Sequence, residues 1–206
     1  MRMHTFTLGP FMTNTYVVED ETTAQAMLVD PTIASESVYE ALAERRLTLA
    51  LIVNTHGHVD HVYGNAFFKE KTGAALAVHK DDEPWLRSMR MQAALFGLDV
   101  SPVSAADRLL ADGDTVVVGS LSFQVIHTPG HTPGGICLYR HGVLLSGDTL
   151  FAGSIGRTDL PGGDYERLIE SIKTKLLVLP EGTVVYSGHG PETTIGEEKL
   201  YNQFLR

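Results

Sequence analysis

The 206-residue chain has one cysteine, Cys137, so no intrachain disulfide framework exists and a reducing compartment is the expected setting. Cations are also scarce. Sixteen Lys and Arg stand against 25 Asp and Glu, a formal net charge of −9, and no Lys/Arg-rich block offers a footing to nucleic acid or to an anionic membrane surface. No run reaches the roughly 18 apolar residues a membrane span requires, and the opening Met1-Arg2-Met3-His4-Thr5-Phe6 lacks the apolar core of a secretion signal. These absences predict a cytoplasmic protein without a nucleic acid or membrane partner. No motif specifies an oligomeric state.

What is present is an ordinary globular composition, 43% apolar and 20% charged, enough for one core. Thr15 to Val18 and Ala26 to Val29 read as β-strands in an opening meander that ends at Asp30-Pro31. Ser35 is placed to cap a helix carrying Val38, Ala41 and Leu42, and the strand Leu49 to Val53 follows. Residues 60–71 and 81–96 read as helices around an extended Ala74 to Val78. The second half opens on hairpins: Thr115 to Val118 with Leu121 to Ile126, then Ile136 to Tyr139 with Val143 to Leu145. A glycine-rich loop leads to a helix capped by Asp164, a strand from Thr183 to Tyr186, and a capping-box pattern at Thr194 and Glu197. Each half runs strands, helix, strand and ends on a histidine loop, which predicts two packed sheets covered outside by helices and no internal domain boundary.

The chemistry concentrates in His56-Gly57-His58-Val59-Asp60-His61, three imidazoles and a carboxylate within six residues. Histidines at i and i+2 leaving a strand can grip one cation, and Asp60 and His61 at a helix start point to a neighbouring one. Imidazole and carboxylate suit divalent metals of intermediate hardness. Closing a coordination sphere needs ligands from other segments. Three isolated candidates sit in glycine-containing turns at strand ends: His131 in Thr128-Pro129-Gly130-His131, Asp148 in Ser146-Gly147-Asp148, and His189 between Gly188 and Gly190.

With these residues in order, the sequence resembles the metallo-β-lactamase superfamily, whose pattern runs His-x-His-x-Asp-His, Gly-His, Gly-Asp, Gly-His. The resemblance covers nearly the whole chain. It implies a four-layer αβ/βα sandwich of mixed sheets with helices outside, formed by residues 1–206 as a single domain. It also implies two divalent ions, zinc first with iron or manganese as alternatives. His56, His58 and His131 would hold one, Asp60, His61 and His189 the other, and Asp148 would bridge them. Within the superfamily, Gly147 to Phe151 and Gly153 to Asp159 look like the loop after the bridging aspartate in short glyoxalase II-like hydrolases.

The activity this implies is hydrolysis of small acyl thioesters, S-lactoylglutathione-like, by a metal-bridging hydroxide. Asp60 would orient that nucleophile, and Asp60 and Asp148 are the expected catalytic carboxylates. Arg157 and Asp159 are candidates for the substrate mouth. The C-terminal helical region that binds glutathione in full-length relatives is expected to be absent. Lactam hydrolysis is disfavoured because β-lactamases of the superfamily commonly use cysteine where Asp148 stands and lack a counterpart of His61. A persulfide dioxygenase with a single iron is the first alternative, since those enzymes also carry a stretch like Gly156-Arg157-Thr158-Asp159; a metal-binding module without catalysis is the second. His79 and His127 read mainly as packing residues, and residues 81–99 as either a lid or core.

Overall fold

The computed structural model describes residues 1–99 and 102–206 and contains two six-stranded sheets. The first comprises β1 (Arg2–Leu8), β2 (Thr13–Asp20), β3 (Gln25–Val29), β4 (Thr48–Val53), β5 (Ala75–His79) and β6 (Arg108–Leu110), in that spatial order. β1 to β3 pair antiparallel and β3 to β6 parallel. The parallel crossovers carry the helices: α1 (Glu36–Glu44), α2 (Val59–Val62), α3 (Asn65–Thr72), α4 (Glu83–Arg87) and α5 (Met89–Leu95). In the second sheet are β7 (Thr115–Val118), β8 (Leu121–His127), β9 (Ile136–Arg140) and β10 (Val143–Gly147). The hairpin β11 (Leu150–Phe151) and β12 (Ser154–Ile155) stands apart, and β13 (Val184–Ser187) and β14 (Thr193–Thr194) complete the sheet in the order β14-β13-β10-β9-β8-β7. α6 (Tyr165–Ser171), continued by a π-helical turn Ile172–Leu176, and α7 (Ile195–Tyr201) belong to this half.

Period-2 alternation divides the apolar side chains into layers. On β2, Tyr16 and Val18 face inward with Met27, Val53 and Leu110 to meet Val116, Phe123, Val125 and Leu138 of the second sheet. Val17 faces the other way, with Leu28, Ile52 and Leu76, onto Val38 and Leu42 of α1, Phe68 of α3 and Met89 of α5. On the far side Cys137, Leu144 and Val185 pack against Leu168, Ile172, Leu176 and Ile195. The result is helices, sheet, sheet, helices, the expected four-layer sandwich.

Two helix starts illustrate the local rules. The Asp164 carboxylate accepts from the Arg167 N–H and Thr194 Oγ1 from the Glu197 N–H, as the capping patterns predict. Ser35 occupies the N-cap position of α1 without a side-chain capping bond. The single helix expected over 60–71 is broken between α2 and α3, where the Gly64 N–H bonds to the Pro31 carbonyl and leaves the helical ladder. Short β6 and β14, which only long-range pairing holds, are additions to the sequence reading.

The topology aligns the functional loops. β3, β4 and β5 are parallel; β8 and β10 are both antiparallel to β9 and therefore run together, and β13 is parallel to β10. The carboxyl ends of these strands carry Asp30, His56, His131, Asp148 and His189, so each sheet delivers its loops to one edge. The two edges are tied together. Ile136 N–H donates to the Thr55 carbonyl, Asn14 N–H to the Gly188 carbonyl, and the Asn14 amide to the carbonyls of Ser187 and Gly190.

Candidate metal centre

Three imidazoles converge between the sheets. His58 Nδ1 lies 2.9 Å from His131 Nε2, which lies 3.2 Å from His56 Nε2. Tetrahedral coordination with metal to nitrogen distances of about 2.0–2.1 Å places ligand nitrogens about 3.3 Å apart, so the triplet already has the spacing a cation would impose. All three rings are buried. Burial, then the neighbouring imidazoles, push His56 well below its ordinary range, and burial followed by His131 brings His58 down to about 3. The neutral ring this favours is the metal-binding form.

A second group adjoins it. His189 Nε2 is 3.3 Å from Asp60 Oδ2, and His61 Nε2 is 3.5 Å from the same oxygen and 3.3 Å from His189 Nε2. Here the charge pattern reverses. Burial opposes a proton on His61, yet Asp60, Asp148 and Asp30 outweigh it and raise the ring to about 10. His189 is likewise raised, against burial, by Asp60 and Asp148. Burial would raise Asp60, but His61 and His189 hold it below the usual carboxylate range. This group therefore concentrates carboxylate charge around its imidazoles, the kind of charge a divalent cation compensates.

Asp148 stands between the groups. Its Oδ1 is 3.4 Å from His61 Nε2, and its Oδ2 is 3.5 Å from both His131 Nε2 and His189 Nε2. Oδ1 is buried without a hydrogen-bond partner among the described residues, a costly state for an isolated carboxylate oxygen and the expected one for an oxygen directed at a cation. Gly188 is required beside it, because a Cβ there would meet Asp148 Oδ1 and lie 2.7 Å from the His61 ring. Gly147 (φ +49°) turns the chain from β10 toward the centre, with Thr55 where its Cβ would be. The donor set fits two divalent cations, and the triplets His56, His58, His131 and Asp60, His61, His189 each bring their ligand atoms within 4.8 Å of one another.

The outward nitrogens of His131, His189, His61 and His56 are held too, which fixes ring orientation and tautomer, whereas His58 Nε2 is buried with no hydrogen-bond partner among the described residues. His131 Nδ1 bonds to the Arg157 carbonyl at 2.7 Å and His189 Nδ1 to the Phe11 carbonyl at 3.1 Å. His61 Nδ1 is 2.9 Å from Asp30 Oδ2. Asp30 also accepts from the Thr55 N–H and hydroxyl, and the same hydroxyl lies 3.1 Å from His56 Nδ1, so one carboxylate steadies a ring in each group. Asp82 clamps the loops themselves: it accepts from the Gly57 N–H at 2.8 Å, the Gly134 N–H at 2.6 Å and the Thr132 hydroxyl at 2.7 Å. Burial pushes the Asp82 carboxyl above its ordinary range against those hydrogen bonds. Gln92 completes the frame, accepting from the Val59 N–H and donating to the Gly57 carbonyl. Asp30, Asp82 and Gln92 lie outside the sequence reading. Asp30 alone carried a signal, an aspartate ending a strand before proline, and it takes the left-handed conformation (φ +53°) that aspartate tolerates better than most residues.

The other candidates fall elsewhere. Arg157 lines the cleft over the centre, and its guanidinium makes a bidentate pair with Asp159 at 2.8 and 2.7 Å, both groups largely exposed. Asp159 does not line that cleft. His79 stacks on His127 with ring centroids 4.1 Å apart, and neither lines the cleft, in keeping with packing roles. Cys137 is fully buried mid-strand, its thiol pushed up to about 11 by burial. The segment 81–99 divides: Leu86, Met89 and Ala93 enter the core, whereas Met91, Leu95 and Phe96 border the cleft.

Residues 8–189 match the family model of the metallo-beta-lactamase superfamily. The chain belongs to that superfamily. It is 37% identical to the hydroxyacylglutathione hydrolase GloC of Haemophilus influenzae, over 100% of this chain and 98% of that one. Among solved structures, the BLEG-1 B3 metallo-beta-lactamase superposes with a TM-score of 0.93 at 38% identity, covering 99% of each chain. The di-iron-bound form of TTHA1623 superposes with a TM-score of 0.90 at 37% identity, covering 98% of this chain and 100% of that one. Among the described residues no helix is long and apolar enough to cross a membrane.

Proposed function

We propose that the protein is a dinuclear metal-dependent hydrolase of acyl thioesters. In this reading His56, His58 and His131 hold one cation, Asp60, His61 and His189 the other, and Asp148 is shared. The observation that carries it is the Asp148 carboxylate, set between the two groups with a buried Oδ1 that accepts no hydrogen bond from the described residues. The GloC relative supports thioester chemistry, and the di-iron form of TTHA1623 supports a two-metal centre with iron beside zinc and manganese as candidate metals. The lone buried cysteine supports a cytoplasmic setting, and the shared inter-sheet core supports a single domain.

Held by these residues, two such cations would supply a water acidified to near neutrality and a Lewis acid for the substrate carbonyl. The chain supplies the rest. Asp60, fixed by the hydrogen bond its Oδ2 accepts from Thr13 Oγ1 at 3.1 Å, orients the attacking water. A thiolate is a weakly basic leaving group, so its departure needs little help from a general acid. The cleft accords with that need. Apart from the metal-facing His and Asp groups, its lining is largely apolar, with Arg157 the one cation.

A second reading, lactam hydrolysis, is favoured by the similarity to BLEG-1 despite the Asp148 and His61 pattern. The test is a screen of zinc-, iron- and manganese-loaded protein against S-D-lactoylglutathione and simple acyl thioesters, a chromogenic cephalosporin, and glutathione persulfide with oxygen uptake recorded. Thioester turnover at least a hundredfold above the other two is expected. Dominant lactam hydrolysis, or stoichiometric oxygen uptake, overturns the proposal.

A further inference from the structure

The cleft above the candidate metals has a volume of about 360 Å³, within the range of small-molecule sites. One end is the metal-facing group His58, Asp60, His131, Asp148 and His189. Beside it stands an apolar wall of Phe11, Trp85, Met91, Leu95, Phe96 and Leu160, with Trp85 edge-on to His58. Phe11 and Phe96 meet edge to face with centroids 5.2 Å apart, joining the β1–β2 loop to the end of α5, and the Phe11 carbonyl holds His189. Metal ligand and apolar wall are therefore one construction.

Three of these side chains are left largely in water: Met91 is 66% exposed, Leu95 79% and Phe96 52%. Large apolar groups clustered at the mouth of a polar centre mark a surface that gains by being covered. The charge pattern selects the occupant. Among the described residues Arg157 is the only Lys or Arg lining the cleft, and it is paired with Asp159 in a chain of net charge −9, so away from the metal-facing end the carboxylates or phosphates of a carrier thiol meet no unpaired Lys or Arg. The part of a thioester that is commonly pure hydrocarbon is its acyl arm.

We infer that this cleft is an acyl-arm site, selecting thioesters with an uncharged hydrocarbon acyl group of several carbons and leaving the carrier thiol toward solvent. The inference rests on the thioesterase reading and sharpens it, moving the preferred acyl group away from a short hydroxylated one. Gln92 gives the wall its rigidity. Its bonds to Val59, Gly57 and the Trp85 carbonyl anchor α5 to the metal loop, so Met91 and Leu95 keep their place relative to the reacting carbonyl.

The test has two arms. In the first, kcat/KM is measured on metal-loaded protein for N-acetylcysteamine thioesters from acetyl to octanoyl, and for acetyl thioesters of neutral alkyl thiols of matched lengths. The expected result is a rise of about fourfold per methylene along the acyl series, about 250-fold over the four methylenes from acetyl to hexanoyl, with the thiol series flat. M91S/L95S, at two exposed positions, should halve the logarithmic slope of the acyl series. In the second arm, Trp85, the only tryptophan, reports occupancy without turnover. Its fluorescence should respond to the octyl thioether of N-acetylcysteamine at a concentration at least tenfold below that needed for the methyl thioether.

A flat acyl series, or a rise only in the thiol series, overturns the inference while leaving the thioesterase reading intact. So does a concentration-dependent dimer that M91S/L95S dissolves without changing the slope, since a second copy would then cover the wall. If no thioester turns over, the thioesterase reading fails, and equal Trp85 responses to the two thioethers then overturn the apolar cleft as well.

Discussion

Asp82 touches no candidate ligand, yet it should matter as much to the centre as most residues that do. Its carboxylate receives two backbone N–H groups and a hydroxyl from the two loops that carry His56, His58 and His131. Asp82→Ala strands all three donors in a buried site, each at about 1–3 kcal/mol. Relief from burying a charge offsets part of this, as the upward displacement of the Asp82 carboxyl implies. A net loss of about 3–5 kcal/mol follows, on the order of 10 °C in Tm for a chain of this length. Asp82→Asn keeps the shape but offers only one acceptor oxygen and turns an NH₂ toward one of the donors, so about 1–3 kcal/mol is expected. The assay is thermal and denaturant unfolding of metal-free protein, followed by chelator competition on the loaded form. Asp82→Ala should unfold earlier and release metal more readily, with Asp82→Asn between it and the wild type. A loss below 1 kcal/mol in Asp82→Ala, with unchanged chelator competition, would refute the clamp.

Asp30→Asn should weaken metal binding about tenfold to a hundredfold by loosening His61 and Thr55, measured by the same competition; unchanged binding would contradict it. His79 is held by burial at about 4, below its ordinary 6.5, so the unfolded chain takes up this proton first and the associated stability is lost as pH falls from 6.5 toward 4. His79→Phe, which preserves the stack on His127, should flatten that part of the pH dependence of unfolding in metal-free protein; an unaltered slope would place the dependence elsewhere. Cys137→Ser should keep kcat within about twofold, and iodoacetamide at pH 8 should label Cys137 only after unfolding, because burial holds its thiol near 11. Rapid labelling of native protein, or a large loss of kcat with folding and metal retained, would point to a covalent route instead.

How much could be read from the chain alone depended on the range of the interactions. The run from His56 to His61 is local, and the alternation that separates Val17 from Tyr16 and Val18 shows directly in residue order. His131, Asp148 and His189 were also legible, because each stands beside a glycine where a strand ends. Asp82 was not: its donors lie 25, 50 and 52 residues away, and nothing near position 82 distinguishes it from other helix-starting aspartates. The division of 60–71 into α2 and α3 was hidden for the same reason, since the bond that diverts Gly64 comes from Pro31. Arg157 and Asp159 stand two residues apart in a conspicuous loop, yet only the fold shows them satisfying each other while the Arg157 backbone carbonyl holds His131.

The central claim, two cations sharing Asp148, is tested most directly by the metal-to-protein ratio of freshly purified wild type and Asp148→Ala, determined by elemental analysis alongside thioester turnover. Two divalent ions per wild-type chain are expected, and in Asp148→Ala loss of most of the second ion with nearly all activity. One tightly held iron per wild-type chain, with oxygen consumed on glutathione persulfide, or two ions retained in Asp148→Ala, would contradict it.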